Sequence, residues 1–251
     1  PVTMYMNTSR FPTDDINVRK AVHYAIDQKE LVDRVFFEYL DPAYGPLAKT
    51  TPCYWEGADD AYPRDLEKAR ELLERSGWTH EDNDGIREKD GEELNIYTPI
   101  IFKSTLMTAV QGELKKVGIN LNVENVTKDR QDELIMNNEY DAGLVRWVAT
   151  DPSVLRIIYH SNNIPAPGYF KFNWQQYDND YMDYLIRAGE MAGTPEEKCR
   201  EYQKVQEMSM DLALTLPLQE TTQTVAYRSG LTGLKWEVGN YQILFYDVKW
   251  E

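Results

Sequence analysis

The sequence is short of positive charge: 27 Lys and Arg stand against 42 Asp and Glu in 251 residues, a formal net charge of −15. Binding a nucleic-acid backbone needs clustered cations that release counterions, so no nucleic-acid partner is expected. Attraction to an anionic membrane surface is excluded for the same reason. No uninterrupted apolar run approaches the roughly 18 residues of a membrane helix. Histidine is scarce, and His23, His80 and His160 are too scattered to suggest a catalytic triad. A G-x-S-x-G elbow, an H-E-x-x-H pair, a P-loop and a G-x-G-x-x-G turn are all missing, and with them the chemistry each would carry. Only two cysteines are present, Cys53 and Cys199, and they match no metal-site spacing. Three readings of them stay open: buried apolar fillers, one disulfide of an exported protein, or reactive thiols. No metal, cofactor or catalytic residue is expected.

What is there suits a globular chain. A hydrophobic fraction of 42% in a chain of this length allows one large domain or two small ones. The first residues, PVTMYMNTSR, hold neither a basic n-region nor an apolar h-region. They begin without Met in an alternating stretch that reads as a strand. The chain is therefore expected to be a piece of a longer protein, with any export signal outside it.

The pattern along the chain is that of an α/β protein. Residues 14–37 read as two consecutive short helices, the second opened by Asp27 and Glu30 in capping-box order. Residues 39–62, rich in Pro, Gly and aromatics, form a long ordered loop, and such loops are often functional. A helix over 64–78 stops at Gly77. A polar hairpin and a strand over 94–100 follow, then a helix over 104–117 stopped by Gly118, a strand over 119–126, a helix over 128–138 and a strand over 140–147. That alternation predicts parallel βαβ connections. Further on come a short helix at 152–159, two long helices over 179–191 and from Thr194, and a strand over 215–227 interrupted at Pro217. The aromatic-rich end has turns at Gly233 and Gly239.

Two local patterns bear on chemistry. HEDNDGIREKDG places Asp82, Asp84 and Gly85 as in a calcium loop, but His80 and Gly91 stand where its end ligands belong, so a turn is preferred. Adjacent carboxylates such as Asp59-Asp60 and Glu92-Glu93 face apart or into solvent, which suits no glycosidase couple. The aromatics are more unusual. Many lie in loops, among them Tyr44, Tyr54, Trp55, Tyr169, Phe170 and Trp174. Rings there serve packing or line a site for polar ligands with apolar faces.

The stretch YDAGLVRWVATDPSVL at 140–155 joins these threads. In a strand, Ala142, Leu144 and Arg146 point one way and Gly143, Val145 and Trp147 the other. Ligands of open α/β sheets sit beyond the carboxyl ends of the strands, where Arg146, Trp147 and the following turn fall. Trp147 would equally pack under the next helix, and Asp151 has a plain role as a helix cap before Pro152.

Several blocks together resemble one family. DDINVRKAVHYAIDQKELV at 14–32, YPRDLEKARELLERSGW at 62–78, DNDGIREKDGEEL at 82–94, VQGELKKVGINLNV at 110–123, YDAGLVRWVATDPSVL and MDLALTLPLQE occur in the order of the family 5 extracellular solute-binding proteins. The resemblance runs from about Asn7 to Glu220 and covers that family's C-terminal half. It implies a periplasmic-binding-protein-like (type II) lobe, with a mixed, mostly parallel sheet flanked by helices. It also implies a two-lobed protein that closes on a solute outside the cytoplasmic membrane, in the periplasm or on a lipid anchor, and hands it to an ABC transporter permease. On that reading residues 1–229 form the second lobe. Residues 230–251 are a tail that would return to the missing N-terminal lobe, and without it would pack on this lobe or serve another contact.

One departure bears on the ligand. Peptide binders of the family usually carry W-x-x-D-Y-x-D-P, whose first Asp grips an α-amino group. Here W-V-A-T-D-P is two residues shorter, with Thr150 near that place and only Asp151 left. The expected ligand-binding residues are Trp147 as an apolar platform, Arg146, Thr150 and Asp151 as polar contacts, and Tyr44, Tyr54 and Trp55 as cleft wall. An oligopeptide is the first ligand expected and an oligosaccharide the alternative. The rival class is an acidic carbohydrate hydrolase. A single lobe supplies part of the contacts, so weak binding is expected of this chain alone.

Overall fold

The structure, a computed structural model, describes residues 1–79, 85–222, 225–237 and 242–250. The turn residues Asp82 and Asp84 and the turn at Gly239 lie outside the described residues. Strand β1 (Val2–Met6) is followed by α1 (Ile16–Tyr24), α2 (Gln28–Phe36) and α3 (Leu66–Arg75), with a 3-10 turn at Glu56–Asp60 between the last two. Next come β2 (Glu88–Lys89), β3 (Glu92–Glu93), β4 (Asn95–Ile100), α4 (Thr105–Lys115), β5 (Asn120–Asn125), α5 (Lys128–Met136) and β6 (Ala142–Arg146). After these lie α6 (Val154–Tyr159), α7 (Asp180–Met191), α8 (Pro195–Asp211), β7 (Thr215–Gln219) and the short strands β8 (Leu231–Thr232), β9 (Lys235–Glu237), β10 (Gln242–Leu244) and β11 (Lys249–Trp250).

Helix starts follow their caps. Asp27 accepts from the Glu30 amide, Ser104 from Met107 and Thr194 from Glu197, each satisfying an otherwise orphan N–H. Gly77 (φ +83°) and Gly118 (φ +88°) end α3 and the α4 turn in the left-handed region that favours glycine.

Strand alternation builds the layers. Met4 and Met6 of β1, Ala142 and Leu144 of β6, and Leu216 and Leu218 of β7 join Val22, Leu31, Leu73, Val110 and Leu114 in one core. Tyr5, Val145 and Trp147 face the other way, into a second core with Leu155, Ile158, Leu185, Ile186 and Val205. The sheet thus sits between α1–α4 and α6–α8, an α/β sandwich.

The pairing differs in balance from the expected mostly parallel sheet: among the described residues β6, β1 and β7 form one three-stranded sheet, and β4 and β5 a separate two-stranded one. Among the described residues only β4 and β5 form a parallel ladder, joined across α4. β1 runs antiparallel between β6 and β7, so the ladder at the centre is antiparallel. The βαβ spacing identified the β4–α4–β5 unit; β1, first in the chain, inserts where no local pattern foretells it. The strand expected over 215–227 is also different: β7 runs through Pro217 and stops at Gln219. An outer strand is where proline is tolerated.

The 39–62 loop is strapped down. Ala43 N–H donates to Leu218 O (3.3 Å), Glu220 N–H to Asp41 O (2.8 Å), and Gln206 Nε2 on α8 to Cys53 O (2.8 Å). Cys53 and Cys199 form a disulfide, which settles their three readings. In the tail, β8 pairs with β11 and β9 with β10. Phe245, Tyr246 and Trp250 are exposed.

Candidate functional site

β6 delivers one charged group to the edge of the sheet. Ala142 and Leu144 are buried on one face, and Arg146, next on that face, emerges into solvent at the strand's end. Among the described residues it forms no ion pair. It lines a cavity of about 610 Å³ between the start of β1 (Val2), the end of β7 (Gln219), Phe36, Phe102 and the first turn of α4. Among the described residues, the charged groups of that lining are Lys103 and Arg146, and no carboxylate is among them. The α4 N-terminus adds a positive dipole end.

A second cavity of about 260 Å³ lies beside the first and shares Phe102, Leu144, Val145 and Arg146 with it. Its floor is aromatic. Phe172 stacks with Trp174 (centroids 6.3 Å, 15° between planes) and meets Phe170 edge-on at 5.2 Å. Trp174 is fixed by its Nε1–H donating to Lys171 O (2.8 Å) and by Gly143, whose missing Cβ leaves room for the ring. Lys128 Nζ sits 4.5 Å over the Phe170 ring.

The seven residues expected to bind ligand do not converge on one cavity. Trp147 is half-buried on the opposite face from Arg146, edge-on to Phe172 (5.1 Å), and lines a narrow cavity of about 70 Å³ with Leu47 and Glu220. Thr150 is exposed in the turn. Asp151 accepts from Ser153 N–H (2.8 Å) and pairs with Lys198 (2.9 Å). Burial raises its carboxyl, but the Ser153 and Lys198 bonds outweigh that and hold it near 2. Tyr44 carries Lys49 over its ring (5.1 Å), and Tyr54 donates to Asp59 (2.6 Å). Burial, then the Asp59 bond, pushes the Tyr54 phenol well up. Trp55 N–H donates to Gln206 Oε1 (3.2 Å), so this side of the strap leans on α8.

Sequence reasoning missed Phe102, Lys103 and Phe36. Phe102 is 54% exposed just past β4, and its only signal was an apolar run ending in Lys-Ser-Thr before a helix. Phe170 and Trp174 stood out as loop aromatics, without anything to bring them to Arg146. Among the described residues, no group of three or more His, Cys, Asp or Glu is placed to hold a metal ion.

Comparison with known proteins follows the same outline. Residues 1–166 match the model described as "Bacterial extracellular solute-binding proteins, family 5 Middle". The nickel-binding periplasmic protein of Escherichia coli (strain K12) is 24% identical over 258 residues, covering 99% of this chain and 48% of the relative. NikA from Brucella suis, solved with Fe(III)-EDTA, superposes with a TM-score of 0.84 at 21% identity, over 100% of this chain and 51% of that one. The oligopeptide-binding protein AppA from Bacillus subtilis, solved with a nonapeptide, gives 0.79 at 20% identity, over 100% and 50%. The chain thus spans about half the length of the proteins it matches.

Proposed function

Because the chain belongs to the bacterial extracellular solute-binding proteins of family 5, we propose that it is the second lobe of the substrate-binding component of an ABC importer. It captures a solute, an oligopeptide first, and catalyses nothing. The observation that carries this is the open face at the end of β6, where Arg146, Phe102 and the α4 N-terminus surround a cavity of about 610 Å³ between the entering strand β1 and the leaving strand β7. A first lobe preceding β1 would close over that face by hinge motion. Arg146 touches the ligand in this reading. Trp147 backs β6 from the opposite face, and Tyr44, Tyr54 and Trp55 belong to the strap alongside. The tail from 230 onward returns to the first lobe.

An acidic hydrolase would need two carboxylates converging about 5 to 10 Å apart in a cleft. Among the described residues, neither cavity at Arg146 is lined by one. The Cys53–Cys199 disulfide supports an oxidising, extracytoplasmic compartment, in the periplasm or on a lipid anchor. The peptide preference is supported by AppA, whose solved complex holds a nonapeptide. Calorimetry on the full-length protein with oligopeptides, oligosaccharides and nickel chelates tests the proposal. Saturable binding of a peptide is expected, and failure to retain any of the three classes would overturn it.

A further inference from the structure

The chemistry of the ligand can be taken one step further, on the basis of the importer reading. In a chain of net charge −15, the described residues that line the larger cavity include two cations and no anion. Among the described residues neither Arg146 nor Lys103 has a carboxylate partner, although acids are plentiful elsewhere on the surface. Two unpaired cations on one cavity repel each other, and the first turn of α4 adds its positive end to the same space. An anion between them would relieve all three, and a carboxylate offers Arg146 a bidentate fit. Next to this lies the aromatic cavity of Phe170, Phe172 and Trp174, which shares Phe102 and Arg146 with the first. Its rings are held by mutual packing and by the Trp174 bond to Lys171 O, so it is already formed to take an apolar group.

We propose that this face selects a solute in which a carboxylate stands beside an apolar side group. The carboxylate lies between Arg146 and Lys103, and the side group rests against Phe102, Phe172 and Trp174. The C-terminal residue of a short peptide ending in an aromatic or large aliphatic side chain is the simplest group of this kind. A neutral sugar would use the aromatic cavity alone and leave both cations unpaired.

Trialanyl-phenylalanine, its C-terminal amide and tetra-alanine, titrated into the full-length protein by calorimetry, form the test. The free acid is expected to bind roughly ten-fold tighter than the amide, the scale of one charge-assisted contact. Arg146→Gln should lower that ratio sharply, by weakening the free acid far more than the amide. Lys103→Gln, on an exposed side chain, should lower the ratio in the same direction. Phe102→Ala should remove the preference for the phenylalanyl peptide over tetra-alanine. Unchanged thermal melting shows that each variant folds. Equal binding of acid and amide by the unaltered protein overturns the assignment, and so does failure to bind the acid. If the protein still retains other peptides, oligosaccharides or nickel chelates, the importer reading survives that result; if it retains nothing, both fall.

Discussion

Gly143 and Trp174 are in contact at a distance that admits no side chain on Gly143: a Cβ there would stand 2.6 Å from Trp174 Cε3 and 3.0 Å from Cζ3. Trp174 has nowhere to retreat, since Phe172 stacks on it and Lys171 O holds its indole nitrogen. Gly143→Ala is therefore expected to cost about 1 to 3 kcal/mol, as overpacked cores do. Denaturant melts should show the loss, and binding of aromatic-ended peptides should weaken with it because the floor of the cavity moves. An unchanged midpoint would mean that the ring is less confined than its contacts imply.

The disulfide joins residues 146 apart in sequence and ties the 39–62 strap to α8. Closing a loop of that length restricts the unfolded chain, and paired substitution of Cys53 and Cys199 by Ala should cost about 2 to 5 kcal/mol. Unfolding with and without a reductant checks this in the unaltered protein: the reductant should lower its midpoint and leave that of the double variant where it is.

His23 makes stability acid-sensitive. It is fully buried with its ring 4.2 Å from that of Tyr62. Burial, helped by Arg19 and Lys20 and opposed by the Thr215 backbone, lowers it from 6.5 to about 3. Below its ordinary value the unfolded chain takes up a proton that the folded chain refuses until near 3. The stability from neutral His23 is thus complete above 6.5 and drains away as pH falls towards 3. His23→Leu should flatten the loss between about pH 6 and pH 4 relative to the unaltered protein. Parallel curves for the two proteins would remove His23 from the account.

Much of this framework was legible in the sequence because it is local. Caps at Asp27, Ser104 and Thr194 and the glycines at 77 and 118 set helix ends within a few residues of one another in the chain. The alternation in β6 likewise separates Leu144 and Arg146 from Val145 and Trp147, as the two cores do. What could not be read depends on distant segments meeting. The antiparallel insertion of β1 between β6 and β7 was such a case, as was the Cys53–Cys199 pairing. The site is another. Phe36, Phe102, Arg146 and Gln219 come from four well-separated places and share one cavity only after folding. The strap aromatics Tyr44, Tyr54 and Trp55 carry the stronger compositional signal, yet the Tyr44 ring lies under Lys49, the Tyr54 hydroxyl donates to Asp59 and the Trp55 backbone N–H donates to Gln206.

The central claim is that ligand lies on the face at the end of β6. Hydrogen–deuterium exchange on the full-length protein, with and without a saturating peptide, tests it most directly. Slowed exchange is predicted over residues 101–106 and 144–148, with α7 (Asp180–Met191) on the far side unchanged. Protection absent from both of those segments while the peptide is bound would contradict the account.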